Sequence, residues 1–175
     1  MKKNNTNRIL IDINILFNEF LHKNPNYRKN TNVKEVTNNL QCSNALDYIR
    51  RKRVFKTYIS DYGVVKFISL MESIKVPKVH IVKEMDALLK NNSVISIGGK
   101  LISDTINEFR NNDNVNDIED SFQFAIARKQ DCDYILTLNT KDFVAFQNLI
   151  TIVHPAKTKQ NYSFLELEKK SIYQK

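Results

Sequence analysis

The chain is poor in the residues that bind soft metals or carry out redox work. Its 175 residues include only two cysteines, Cys42 and Cys132, far apart and outside any C-x-x-C or His-rich pattern. They read as small buried thiols of a reducing compartment, without a metal or redox role. The three histidines, His22, His80 and His154, are scattered, and all read as structural or solvated rather than as a catalytic base. No apolar run approaches a membrane-spanning length. The basic start, Met1-Lys-Lys-Asn-Asn-Thr-Asn7, leads into an apolar stretch that Asp12 and Asn14 interrupt, so it is not read as a secretion signal. No membrane association and a cytoplasmic location are expected.

What is present is ordinary for a soluble domain: 42% hydrophobic and 26% charged residues, in a chain long enough for one proper core. The charge is uneven, with 27 Lys plus Arg against 19 Asp plus Glu, or +8. Excess positive charge favours a polyanionic partner, nucleic acid above all. A basic run, Arg50-Arg51-Lys52-Arg53 with Lys56, has two readings. It is a solvated helix end complementing the dipole, or a contact to a nucleic-acid backbone.

Short, nearly continuous apolar runs recur at residues 8–12, 55–60, 93–97, 133–138 and 149–153. Strands covered on both faces read this way. Between them, residues 13–22, 33–52, 61–74, 77–90, 99–111 and 117–131 carry helical spacing. The alternation predicts an α/β domain of three α/β/α layers, with a central parallel sheet of four to five strands. Pro77 suits a first helical turn, and Gly98-Gly99 and the polar residues 111–116 mark breaks. One domain over residues 1–155 is expected, then a tail, 156–175, with a short helix at 163–172.

Three aspartates fall where an apolar element delivers them to one end of that sheet. Asp12 closes the first strand, followed by Asn14. It is either an N-cap or a buried carboxylate that needs a partner. Asp120 heads a stripe with Phe124 and Ala127 and points toward the sheet edge, with Asp117 as the cap and Glu119 or Asp117 as helpers. Asp142 leaves the same end in Thr137-Leu-Asn139-Thr-Lys-Asp142-Phe143. In open parallel sheets ligands bind beyond the carboxyl ends of the strands. Acids gathered there repel one another unless a hard cation such as Mg²⁺ or Mn²⁺ sits among them, which suggests metal-assisted phosphate chemistry.

These residues resemble the PIN domain, a compact α/β nuclease fold. The opening Ile9-Leu-Ile-Asp12-Ile-Asn14-Ile-Leu16 is similar to that family's first strand. Asp117-Ile-Glu-Asp120-Ser-Phe-Gln-Phe-Ala-Ile-Ala127, followed by Tyr134-Ile-Leu-Thr137-Leu-Asn139-Thr-Lys-Asp142-Phe143, is similar to its second half. The resemblance implies a Mg²⁺/Mn²⁺-dependent ribonuclease, as in VapC-type toxins of toxin–antitoxin pairs. Asp12, Asp120 and Asp142 would be the catalytic, metal-site carboxylates, and Asn14, Thr137 and Asn139 the supporting polar groups. Single-stranded RNA is the expected substrate, and the basic run itself offers Arg50, Arg51, Lys52 and Arg53 as candidate contacts to its backbone. A small antitoxin partner and a homodimer are further implications, the helices at 33–52 and 61–74 offering apolar positions for a dimer face.

One position departs from the family pattern. Six residues beyond Ser60, where the family usually carries Glu, this chain has Lys66. An ammonium there competes with a cation or binds the scissile phosphate as a point charge, and Asp61 is a candidate substitute for the missing acid. The departure keeps a second function open: a degenerate PIN-like module that binds RNA or protein without cutting. A phospho-accepting receiver is disfavoured, since it leaves the Asp120 helix without a role.

Overall fold

The computed structural model describes residues 6–29, 32–52, 55–111 and 117–157. The expected tail helix and Arg53 lie outside them. Five strands, β1 (Asn7–Ile11), β2 (Phe55–Ser60), β3 (Ser93–Ile95), β4 (Tyr134–Leu136) and β5 (Thr151–Val153), form one sheet in the order β3-β2-β1-β4-β5. Every pairing is parallel. Six α-helices connect them: α1 (Ile13–Lys23), α2 (Val33–Lys52), α3 (Asp61–Ser73), α4 (Lys78–Asn91), α5 (Gly99–Asn111) and α6 (Ile118–Lys129).

Alternation along the strands explains the two covering layers. Ile9, Ile11, Ile59, Tyr134 and Leu136 face a core built with α1 to α4, through residues such as Phe20, Leu46, Phe67 and Leu88. Leu10, Tyr58 and Ile135 face the other way, onto Phe124, Ile126, Phe143 and Phe146. The Phe124 and Phe146 rings stack there with centroids 3.9 Å apart. Strands clad on both sides have no polar face to show, which is why their sequences run apolar. The expected α/β/α architecture is what forms.

Boundaries shift by a residue or three. The strands at the carboxyl edge are shorter than the apolar runs, because Thr137 and Leu138 already turn away, although the Thr137 N–H still donates to Val153 O at 3.0 Å. Pro77 caps α4 rather than opening it, its carbonyl accepting from the His80 and Ile81 N–H groups. Ser60 caps α3 by accepting from Gly63 N–H at 2.8 Å. An added Cβ at Gly63 would sit 2.9 Å from that hydroxyl oxygen, so the residue must be small. Among the described residues no helix is long and apolar enough to cross a membrane.

Candidate active site

The chain moves from β1 outward to β2 and β3, then returns across β1 to β4 and β5. Strand order therefore reverses at the β1/β4 boundary, and a crevice forms beyond the carboxyl ends there. Asp12 is the first residue past β1, and its N–H donates to Leu136 O at 3.0 Å, tying it to the end of β4. Its side chain is buried, at 2% exposure. One carboxylate oxygen accepts from the Asn14 N–H at 3.1 Å, capping α1. The other accepts from the Thr137 hydroxyl at 2.8 Å. Both readings of Asp12 are thus realised together: it caps a helix and is a buried carboxylate at the crevice. Burial raises its pKa above the ordinary range, against the opposing pull of the Thr137 and Asn14 hydrogen bonds.

Thr137 is fully buried and serves both neighbours. Its oxygen also accepts from the Asn139 N–H at 3.0 Å, and Asn139 O accepts from the Asp142 N–H at 3.1 Å. The turn is therefore laced to Asp12 from inside, while Phe143 anchors it in the core. Asp142 itself is exposed.

Asp120 arrives from the opposite layer. Asp117 caps α6 by accepting from the Glu119 N–H at 2.7 Å, and Asp120 sits in the first turn at 7% exposure. Phe124 and Ala127, below it on the same stripe, are fully buried, as their spacing predicts. Burial, and then the charges of Asp117, Asp142, Asp12 and Glu119, push the Asp120 pKa up to about 7. Asp120 thus feels both Asp142 and Asp12, the latter more than a hundred residues earlier in the chain.

No family model matches this chain, and neither does any curated protein. Solved structures do. A toxin–antitoxin complex from Klebsiella pneumoniae is similar at a TM-score of 0.55 and 17% identity, over 84% of this chain and 97% of that one. VapC20 of Mycobacterium tuberculosis, a toxin that cleaves the sarcin–ricin loop, is similar at 0.53 and 10%, over 73% and 86%. The chain has the PIN-domain fold.

Within that fold Lys66 finds a partner that spacing did not disclose. Its ammonium donates to both carboxylate oxygens of Glu119, at 2.5 and 2.7 Å. Burial works against the Lys66 charge, but the bond to Glu119 and nearby negative charge, Asp12 included, raise its pKa on balance. Asp61 does not replace the missing acid. Its carboxylate accepts from the Ser96 hydroxyl and the Ile97 and Tyr62 N–H groups, fastening the exit of β3 to the start of α3.

The basic run sits elsewhere. It ends α2 just before β2 begins, at the amino edge of the sheet, whereas the acids lie at the carboxyl edge. Arg50 is committed to the buried Glu19, which also holds Lys23 at 2.6 Å. Arg51 pairs loosely with Asp47, and Lys52 lies over the Tyr48 ring. None of the three faces the crevice. The histidines stay away too: His80 bonds Tyr27, and His154 accepts from the Ala156 N–H.

Sequence reasoning missed a cleft of about 550 Å³ beside the acids, lined by Tyr62, Val65, Ile97, Ile102, Ile118 and Phe122 with Asp61 and Glu119 on its wall. Ile118 and Phe122 have a helical apolar spacing that reads as core; it faces this cleft instead.

A hard divalent cation is satisfied by one or two carboxylates, with water and phosphate oxygens completing its shell. Asp12 and Asp120 offer such oxygens, and the mutual repulsion at Asp120 is what a cation relieves. Among the described residues no three His, Cys, Asp or Glu side chains come together as a cage for an ion. The three-carboxylate shell expected from the sequence is therefore not preassembled there. The donors suit an ion that keeps most of its water.

Proposed function

We propose that this protein is an endoribonuclease that hydrolyses RNA phosphodiester bonds using Mg²⁺ or Mn²⁺ at Asp12, Asp120 and Asp142, and that it is the toxin of a toxin–antitoxin pair. The observation that carries this reading is that two buried carboxylates, Asp12 just past β1 and Asp120 on α6, come within electrostatic reach of each other at the topological switch point. A cation there supplies an activated water and a counter-charge for the leaving oxygen. Thr137 and the Asn14 N–H fix the rotamer of Asp12, so its oxygens are oriented before substrate arrives. Asn14 and Asn139 flank it as polar groups for phosphate or ribose. The net charge of +8 draws a single-stranded polyanion toward the acids from a distance.

The likeness to a toxin–antitoxin complex supports a small antitoxin as partner. Apolar groups beside the site, Tyr62 and Val65 on α3, and Val33 and Leu40 on α2, are exposed and suit a protein partner, whether antitoxin or a second copy. The cytoplasm is the compartment this reading implies. The Lys66–Glu119 pair favours one alternative, a PIN-fold module that binds RNA or protein without cutting.

Cleavage of single-stranded RNA with and without Mn²⁺ separates the two. Mn²⁺-dependent cutting that disappears in Asp12→Asn and Asp120→Asn, with circular dichroism retained, is the expected result. RNA binding without cutting by the wild-type protein would establish the alternative.

A further inference from the structure

Lys66 projects from α3, packed on one face of the sheet, and Glu119 from α6, packed on the other. Their ion pair therefore bridges the two helical layers across the carboxyl edge, and it is largely shielded, with side-chain exposures of 29% and 25%. Both Glu119 oxygens are turned onto one ammonium. A carboxylate gripped in this way has little left to offer an ion. Asp12 lies within electrostatic reach of both partners.

We infer that Lys66 is a resident cation of this site: its ammonium holds Glu119 out of the metal shell and neutralises part of the acidic edge, so the site binds a divalent ion more weakly than its acids alone would. The inference rests on the cation-dependent reading above and deepens it. Asp12, Asp117, Glu119, Asp120 and Asp142 make up the negative charge gathered there, and Lys66 offsets a share of it. Lys66 acts through Glu119, as a positioning residue.

Isothermal titration with Mn²⁺ near neutral pH tests this on the full chain. Wild-type protein sets the reference affinity. Reversing the charge in Lys66→Glu removes an ammonium that acts on Asp12 and adds a carboxylate. Affinity should then rise at least about tenfold. Lys66→Met should shift affinity in the same direction by less, and Lys66→Arg should restore wild-type binding. Glu119→Gln should lower the affinity by no more than Lys66→Met raises it, and far less than Asp12→Asn does, because Glu119 contributes charge without being a ligand. Wild-type affinity in both Lys66→Glu and Lys66→Met, with folding confirmed by circular dichroism, would overturn the inference. So would a Glu119→Gln variant that loses Mn²⁺ as severely as Asp12→Asn. Failure of the underlying reading looks different: Asp12→Asn and Asp120→Asn would then bind Mn²⁺ just as wild type does.

Discussion

Replacing Asp120 with Asn should make the metal-free protein more stable, and by an amount that depends on pH. The carboxyl ionises near the ordinary carboxylate value of 3.8 in the unfolded chain but only at about 7 in the native state. Between those values the native state binds more protons than the unfolded one, so stability falls as pH rises. The penalty grows from about pH 4 to about pH 7 and is complete above that. Below both values it vanishes, because Asp120 is protonated whether the chain is folded or not. At face value the shift is worth about 4 kcal/mol. Two of the charges acting on it, Asp117 and Asp142, are exposed, however, and solvent screening brings the expected gain in Asp120→Asn to about 2 kcal/mol. Asp12 is shifted in the same direction by burial, but it titrates in both proteins and cancels from the difference. Urea unfolding followed by circular dichroism, in EDTA across that pH range, measures the gain directly. A variant no more stable than wild type at pH 8, or one whose advantage is the same at pH 5 as at pH 8, would refute the reasoning. Excess Mn²⁺ should then reverse the order: an ion at a hundred times its dissociation constant adds about 2.7 kcal/mol to the protein that binds it.

Two further substitutions separate scaffold from site. Arg50→Ala strips the buried Glu19 of its two-point partner and leaves only Lys23, so it should cost about 3 kcal/mol in denaturant unfolding; RNA cleavage by the protein that remains folded, and its salt dependence, should be unchanged. Thr137→Val keeps the shape but takes away the donor to Asp12 and the acceptor for Asn139. It should cost about 2 kcal/mol and raise the pH at which cleavage reaches half its maximum, read from a pH–rate profile.

How far the sequence could be read follows from which interactions are local. Apolar runs between amphipathic helices are statements about burial, and burial is repeated along every element; the three layers and the parallel sheet follow from it. Asp12 was legible because a carboxylate in Ile-Leu-Ile-Asp-Ile is costly without a purpose, and Asp120 because it heads the stripe of Phe124 and Ala127. Pairings between distant charges leave no such trace. Nothing near Glu119 announces Lys66, 53 positions earlier, and nothing in Arg50-Arg51-Lys52 reveals that its first member is spent on Glu19. Local spacing is equally silent on Ile118 and Phe122, since a helix with two apolar faces does not say which one meets the sheet and which lines a cleft.

The departure at Lys66 shows why that distinction matters for function. From spacing alone, a lysine in the place of an acid reads as lost catalysis, and Asp61 reads as a nearby repair. In the fold, Asp61 is fully engaged in holding Ser96 and Ile97. Lys66 neutralises Glu119, the acid beside Asp120. Removing one carboxylate from a crowded edge and neutralising another there lower the repulsion that adds to burial in driving Asp120 toward neutrality. The pairing therefore changes the charge at this edge and leaves the placement of its acids as it is. Asp12, Thr137 and Asp120, which make the crevice, do not depend on the residue at position 66 for their placement.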